Sequence, residues 1–198
     1  MCFFLVNTVL AQKIDSFKKL GGAEKLWVVL HPFSAGKAYE ISMKVDSISK
    51  EMVEQGALDG DGAGGKVDAF RHALWMALLS KEIGKSKSRW LGKAHEKMNK
   101  RQFEKGELEH GAWPDMVSMQ MDLHNNEVGI EISEENLDLN IEEAKKKVLE
   151  RLHGGDMLII KKDREGNSLD KKGEVIPAKE WEGKWENFRV LVPSDYQP

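Results

Sequence analysis

The stretch from Val67 to Ile83 limits the possible folds of this chain more than any other. Val67, Phe70, Leu74 and Leu78 make one stripe at helical spacing, and Trp75, Met76, Leu79 and Ile83 make a second. A helix that is apolar over most of its circumference must be shielded from water on most sides, so other helices have to surround it. The flanking segments can do this. Leu26, Trp27, Val29 and Leu30 lie in a short helix stopped by Pro32, after a lead-in at 14–20 broken by Gly21-Gly22. Ser34 can cap a following helix carrying Tyr39, Ile41, Val45, Ile48 and Met52 as far as Gly56. Beyond Gly84, Ser86 or Ser88 can cap a helix with Trp90, Leu91, Ala94 and Met98 on its inner side, and residues 99–112 read as a polar helix tail and loop. Trp113-Pro114 starts another helix, with proline at its first position and Gly129 at its end. Ile141 to Leu152 is charged and amphipathic, and Gly154-Gly155 closes it.

The composition changes after that point. Met157 to Ile160 and Val190 to Val192 read as strands, and Arg164 to Asn167 as a turn between strands. The expected fold is therefore mainly α, a helical bundle around a buried central helix with a small C-terminal β appendage. Its divisions are a helical domain over 13–155 and an appendage over 156–198 packed on it. At 198 residues the chain suits one such domain.

The first twelve residues read as a remnant of a secretory signal. An apolar run, Cys2 to Leu10, ends in Leu-Ala-Gln with a small residue where a signal peptidase cuts, although the positive n-region is missing. The other reading is an apolar strand or helix packed on the core. Export to the periplasm or beyond is the expectation. No later stretch is long and apolar enough to span a bilayer.

Charge and cysteine content remove several classes. Thirty basic residues are interleaved with 33 acidic ones for a net charge of -3, which argues against a nucleic-acid binder. Lys145, Lys146 and Lys147 follow Glu142 and Glu143, as on the solvent face of a helix. Cys2 is the single cysteine, so neither an intramolecular disulfide nor a thiolate metal cluster can form. Asp59-Gly60-Asp61-Gly62 invites a calcium-loop reading, but the late glutamate position holds Phe70, and a flexible surface loop fits better. No Gly-x-Ser-x-Gly elbow or phosphate-binding Walker loop is present.

Three polar groups interrupt the apolar helices. Asp68 and His72, in Asp68-Ala69-Phe70-Arg71-His72, are i and i+4 and share a helix face. A carboxylate on one ring nitrogen fixes the tautomer and leaves the other as base or metal ligand. His95 and Glu96 lie on the inner side of their helix, where charge is costly without a partner. Asp122 and Asn126 are again i and i+4, with Asn125 beside them. Each group alone also fits a cap, a clamp or a satisfied core residue.

The three motifs in this order, Asp68-Ala-Phe-Arg-His72 with Trp75, Ala94-His95-Glu96, and Met121-Asp122-Leu123-x-Asn125-Asn126-x-x-Gly129, resemble those of an uncharacterised bacterial domain family. That family occurs in secreted proteins and at the ends of polymorphic toxin-like proteins. The resemblance covers roughly residues 58–130 and implies Asp68, Arg71, His72, His95, Glu96, Asp122, Asn125 and Asn126 as site residues. It implies no particular reaction, and it gives His124 a packing role.

Two functions follow as expectations. The first is an extracytoplasmic hydrolase acting on an envelope component, a lipid or peptidoglycan. His72 tuned by Asp68 would be the base, Glu96 the acid, and Asn125 and Asn126 donors to the oxyanion. A metal-assisted form takes His72, His95 and Asp122 (or Glu96) around a divalent ion such as zinc, although HExxH spacing is absent because residue 99 is Asn. The second is a non-catalytic binding or structural module with a buried polar network, using Trp181 and Trp185 as exposed contact residues. The partner is a small-molecule or envelope substrate, and the sequence does not fix the oligomeric state.

Overall fold

The computed structural model describes residues 14–108, 111–136 and 138–198. The leader expected at 1–12 lies outside the described residues. After a short helical lead-in at 14–19 come α1 (Gly22–Leu30), α2 (Pro32–Glu54), α3 (Lys66–Ile83), α4 (Lys85–Lys105), α5 (Met116–Glu135) and α6 (Ile141–His153). Strands β1 (Leu158–Ile160) and β2 (Leu191–Pro193) follow, with one 3-10 turn at Ala178–Glu180 between them. Among the described residues no helix is long and apolar enough to cross a membrane.

Helix α3 is the buried centre. It packs against α2, α4, α5, α6 and β1. Ala69, Ala73 and Ala77 repeat at i+4 and give it a thin side on which neighbouring backbones come close. Val128 and Ile132 from α5, and Ala144, Val148 and Leu152 from α6, fill the core on that side. A second cluster joins Met76 and Leu79 of α3 to Trp27 of α1, Leu91 of α4 and Ile130 of α5.

The ends of these helices differ from expectation in instructive ways. Pro114 does not open α5. Asp115 caps it instead, its carboxylate accepting from Ser118 N at 2.7 Å while the Ser118 hydroxyl bonds back to Asp115 N. Gly129 does not close α5, which runs on to Glu135. Helix α2 begins at Pro32, so Ser34 lies inside its first turn, and Gly84 precedes α4 where a serine cap was expected. Helix α4 also extends through the polar residues to Lys105 before Gly106 ends it in the left-handed region. The aspartates of the 56–65 loop hold the start of α3, so this segment is not a loose surface loop. Asp59 accepts from Lys66 N at 2.6 Å and Val67 N at 3.3 Å, which satisfies amides that have no intrahelical partner.

The C-terminal segment is a two-stranded antiparallel sheet, Ile159 opposite Val192, followed and preceded by irregular chain. A buried ion pair pins it to α5: Arg189 Nε donates to Asp115 Oδ2 at 3.0 Å, and Arg189 Nη2 donates to the same oxygen. Trp181 and Trp185 are half-buried here. The Arg189 guanidinium stacks 4.2 Å from the Trp181 ring centre, and Trp185 packs on Phe103 of α4.

Candidate active site

The first two turns of α3 and the middle of α5 face each other, which brings two of the three polar motifs together. His72 is 3% exposed. Its Nδ1 lies 3.3 Å from Asn126 Oδ1, so with a carbonyl oxygen facing it Nδ1 is the donor and Nε2 the basic nitrogen. Nε2 points among Asp122 Oδ1 at 3.4 Å, Asp68 Oδ1 at 3.6 Å and Arg71 Nη2 at 3.1 Å. Arg71 also donates to Asp68 Oδ1, and the other Asp68 oxygen accepts from Gly64 N at 2.7 Å. Asp68, His72 and Asp122 each offer one ligand atom, and these atoms all lie within 4.8 Å of one another. Two carboxylates here face one guanidinium, so a cation held between them would balance the second negative charge.

His95 belongs to a different pair. Its Nδ1–H donates to Glu24 Oε1 at 3.1 Å, and the other Glu24 oxygen accepts from Gly21 N at 2.8 Å. A carboxylate can only accept, so Nε2 is again the basic nitrogen. The His95 ring packs edge-on to Trp75 and stands 6.4 Å from the His72 ring, centre to centre. It is therefore the acid residue Asp68, not His95, that shares the three-ligand cluster with His72 and Asp122. Glu24 was not singled out by sequence. The available signal was a carboxylate three residues after a Gly-Gly break and three before a buried tryptophan.

The remaining motif residues face elsewhere. Asn125 is fully buried and clamps β1, with Nδ2 donating to Leu158 O and Oδ1 accepting from Leu158 N, both at 2.9 Å. Glu96 is buried between α4 and its neighbours, accepting from Asn99 Nδ2 at 3.2 Å. His124 is exposed and its Nε2 meets the Asp156 carbonyl. Among the described residues, Asn126 Nδ2 and Asn99 Oδ1 are buried without a hydrogen-bond partner. A Cβ on Gly92 would lie 3.2 Å from Asn126 Nδ2, so a glycine keeps α4 this close to α5.

A groove of about 520 Å³ opens between the lead-in, α1, α2 and α3. Its walls are mostly apolar, from Phe17, Leu20, Trp27, Val28, Tyr39 and Met43. Arg71, His72, Trp75, His95 and Glu24 line it too, with Ser42, Asp46 and Lys50 among its other polar residues. Asp68 and Asp122 border a second recess of about 40 Å³ together with Trp113 and Arg189, and Arg71 borders both.

The fold and site define a helical protein in which a buried histidine, His72, and a half-buried one, His95, each oriented by an oxygen acceptor, line a mostly apolar groove. Residues 25–156 match the model of a family described as a domain of unknown function, DUF6973. The match runs from α1 through α6, covers well over half of the 198 residues and takes in all eight site residues singled out from the sequence, while Glu24 precedes it by one position. The chain belongs to this family. No curated protein and no solved structure matches it.

Proposed function

We propose that this chain is a hydrolase acting outside the cytoplasm on an envelope lipid, cleaving an ester bond of a substrate whose acyl chain lies in the groove. The observation that carries this reading is the mostly apolar groove that His95 and His72 line. A lipid chain satisfies such walls, whereas a glycan or peptide strand would bring polar groups against them without partners. His95, held by Glu24, takes a proton from water as that water attacks the carbonyl carbon. The new C–O bond forms, the ester C–O bond breaks, and the proton passes to the leaving alkoxide. Arg71, which lines the groove, would offset the negative charge that develops on the carbonyl oxygen. Asp68, His72 and Asp122 would hold a divalent ion such as zinc, which would supply Lewis-acid chemistry at that cluster. A secreted or toxin-like setting, which the motifs resemble, suits an enzyme of this kind.

A second reading has its own observation. Asn125 spends its side chain on β1 and Asp68 part of its own on Gly64, so some of this network serves packing. A binding or structural module would extend that role to the histidines. Hydrolysis assays on phospholipid micelles and on soluble short-chain esters separate the two, run beside elemental analysis and His72→Ala and His95→Ala. Ester turnover lost in folded variants supports the hydrolase. Variants that only melt earlier, from a wild type with no turnover, leave the structural module.

A further inference from the structure

Around the groove, helices α1 and α2 carry several large apolar side chains exposed to solvent. Leu26, Val29 and Leu30 lie at i, i+3 and i+4 on one face of α1 beside buried Trp27, and they are 53%, 65% and 55% exposed. Phe33, in the first turn of α2, is 96% exposed. It stands on the same helical face as Gly36 and Met43, which line the groove, so the apolar strip continues from the groove wall outward. Phe17 and Met43 line the groove and are themselves exposed at its mouth. Trp90 extends the strip across His31, whose ring lies 5.0 Å from it and 4.9 Å from Trp27. No structural element of the described chain covers these side chains, and a contiguous apolar surface of this sort marks a docking face.

The charges bordering this surface indicate what docks. Over residues 14–44 the lysines are Lys18, Lys19, Lys25, Lys37 and Lys44, against Asp15, Glu24 and Glu40, in a chain whose net charge is -3. Glu24 is buried against His95 and so does not offset them at the surface. Asp15 pairs with Lys18, Glu82 of α3 pairs with Lys37, and Lys25 lies 6.0 Å over the Phe17 ring at the mouth. Apolar side chains projecting from a helical corner, with lysines beside them, match a lipid–water interface that carries negative headgroups.

We infer that the α1–α2 corner is a membrane-docking face, seated on an anionic bilayer so that the groove mouth opens into the lipid. This rests on the hydrolase reading only for the fate of the bound lipid, since the docking is measured without turnover. The test is sedimentation of the full chain with vesicles of phosphatidylcholine, with and without phosphatidylglycerol, at low and high salt. Wild type is expected to co-sediment with the anionic vesicles and to be partly released by salt. The double variant Val29→Asp/Phe33→Asp is expected to lose at least about tenfold in partitioning while keeping its thermal midpoint, because both positions are exposed. His95→Ala is expected to bind vesicles as wild type does. Failure of wild type to co-sediment overturns the inference, as does undiminished binding of the double variant. A dimer in solution that the double variant dissociates also overturns it, since the face would then cover a second copy. Vesicle binding with no hydrolysis of any ester would sink the hydrolase and leave the docking face. Hydrolysis of a soluble short-chain ester without vesicle binding would do the reverse.

Discussion

Gly129 of α5 lies so close to Ala73 of α3 that a Cβ on it would meet the Ala73 carbonyl oxygen at 2.2 Å. The neighbour is backbone of the central helix and cannot swing aside as a side chain would. Gly129→Ala is therefore expected to force the two helices apart and to cost roughly 1–3 kcal/mol or more of stability. Helix propensity alone favours alanine by up to about 1 kcal/mol and would act in the opposite direction. Urea denaturation decides between them, and an unchanged or raised midpoint would contradict this packing.

The Asp115–Arg189 pair ties the C-terminal segment to the start of α5, with Asp115 1% and Arg189 8% exposed. Removing one partner strands the other charge away from water. Arg189→Ala is expected to destabilise the protein by about 3–5 kcal/mol. Arg189→Met, with Asp115→Asn beside it, should recover part of that loss. A negligible effect of Arg189→Ala on thermal unfolding would show that the segment is held by other contacts.

Asn125 separates packing from chemistry. Its two bonds to Leu158 fix β1 on α5, so Asn125→Ala leaves two half-buried backbone groups without these partners, at a cost of about 1 kcal/mol each. The variant should melt earlier, yet once folded it should keep the wild-type rate on a soluble ester. A large loss of rate in the folded state would return Asn125 to the reacting groups.

The Glu24–His95 pair should show the opposite signature. His95→Ala is expected to lower ester turnover by about 10²–10⁴-fold, the usual share of one acid–base group, with little change in folding. Glu24→Gln keeps the shape but loses the charge that orients the imidazole, and a smaller loss is expected. Turnover that survives His95→Ala but not His72→Ala would move the proton transfer to the deeper histidine.

Arg89 and Glu127 join α4 to α5, and the guanidinium bonded to Glu127 holds its carboxyl below the usual glutamate range. A lowered folded-state pKa means the pair adds stability above the ordinary glutamate range of about 4.3 and loses it as acid protonates the folded carboxylate. The side chains are 37% and 44% exposed, so the contribution at neutral pH should be no more than about 1 kcal/mol. Glu127→Gln should thus unfold slightly earlier than wild type in urea at pH 7, and the gap should close well below pH ~4. A gap that widens in acid would refute the assignment.

The buried helix α3, the helices around it and the small terminal sheet were legible in the order of residues, because periodicity and glycine or proline breaks act over a few residues and record burial locally. That order also marked Asp68, His72, Asp122 and Asn126, since a polar group on an apolar face stands out wherever the chain folds. What these groups meet depends on how the helices pack. His95 and Glu96 are neighbours in the chain, but helical geometry turns them about 100° apart, one toward Glu24 at the groove and the other toward Asn99. Asn125 and Asn126 diverge in the same way, to β1 and to His72. Glu24 and His95 are 71 positions apart, and no local pattern pairs them. Gly129 looked like a helix end because a glycine's cost in a helix is local, whereas its reason, the approach of Ala73, is set by how α3 and α5 cross. The partner of each side chain was a property of helix crossings, which one-dimensional spacing does not contain.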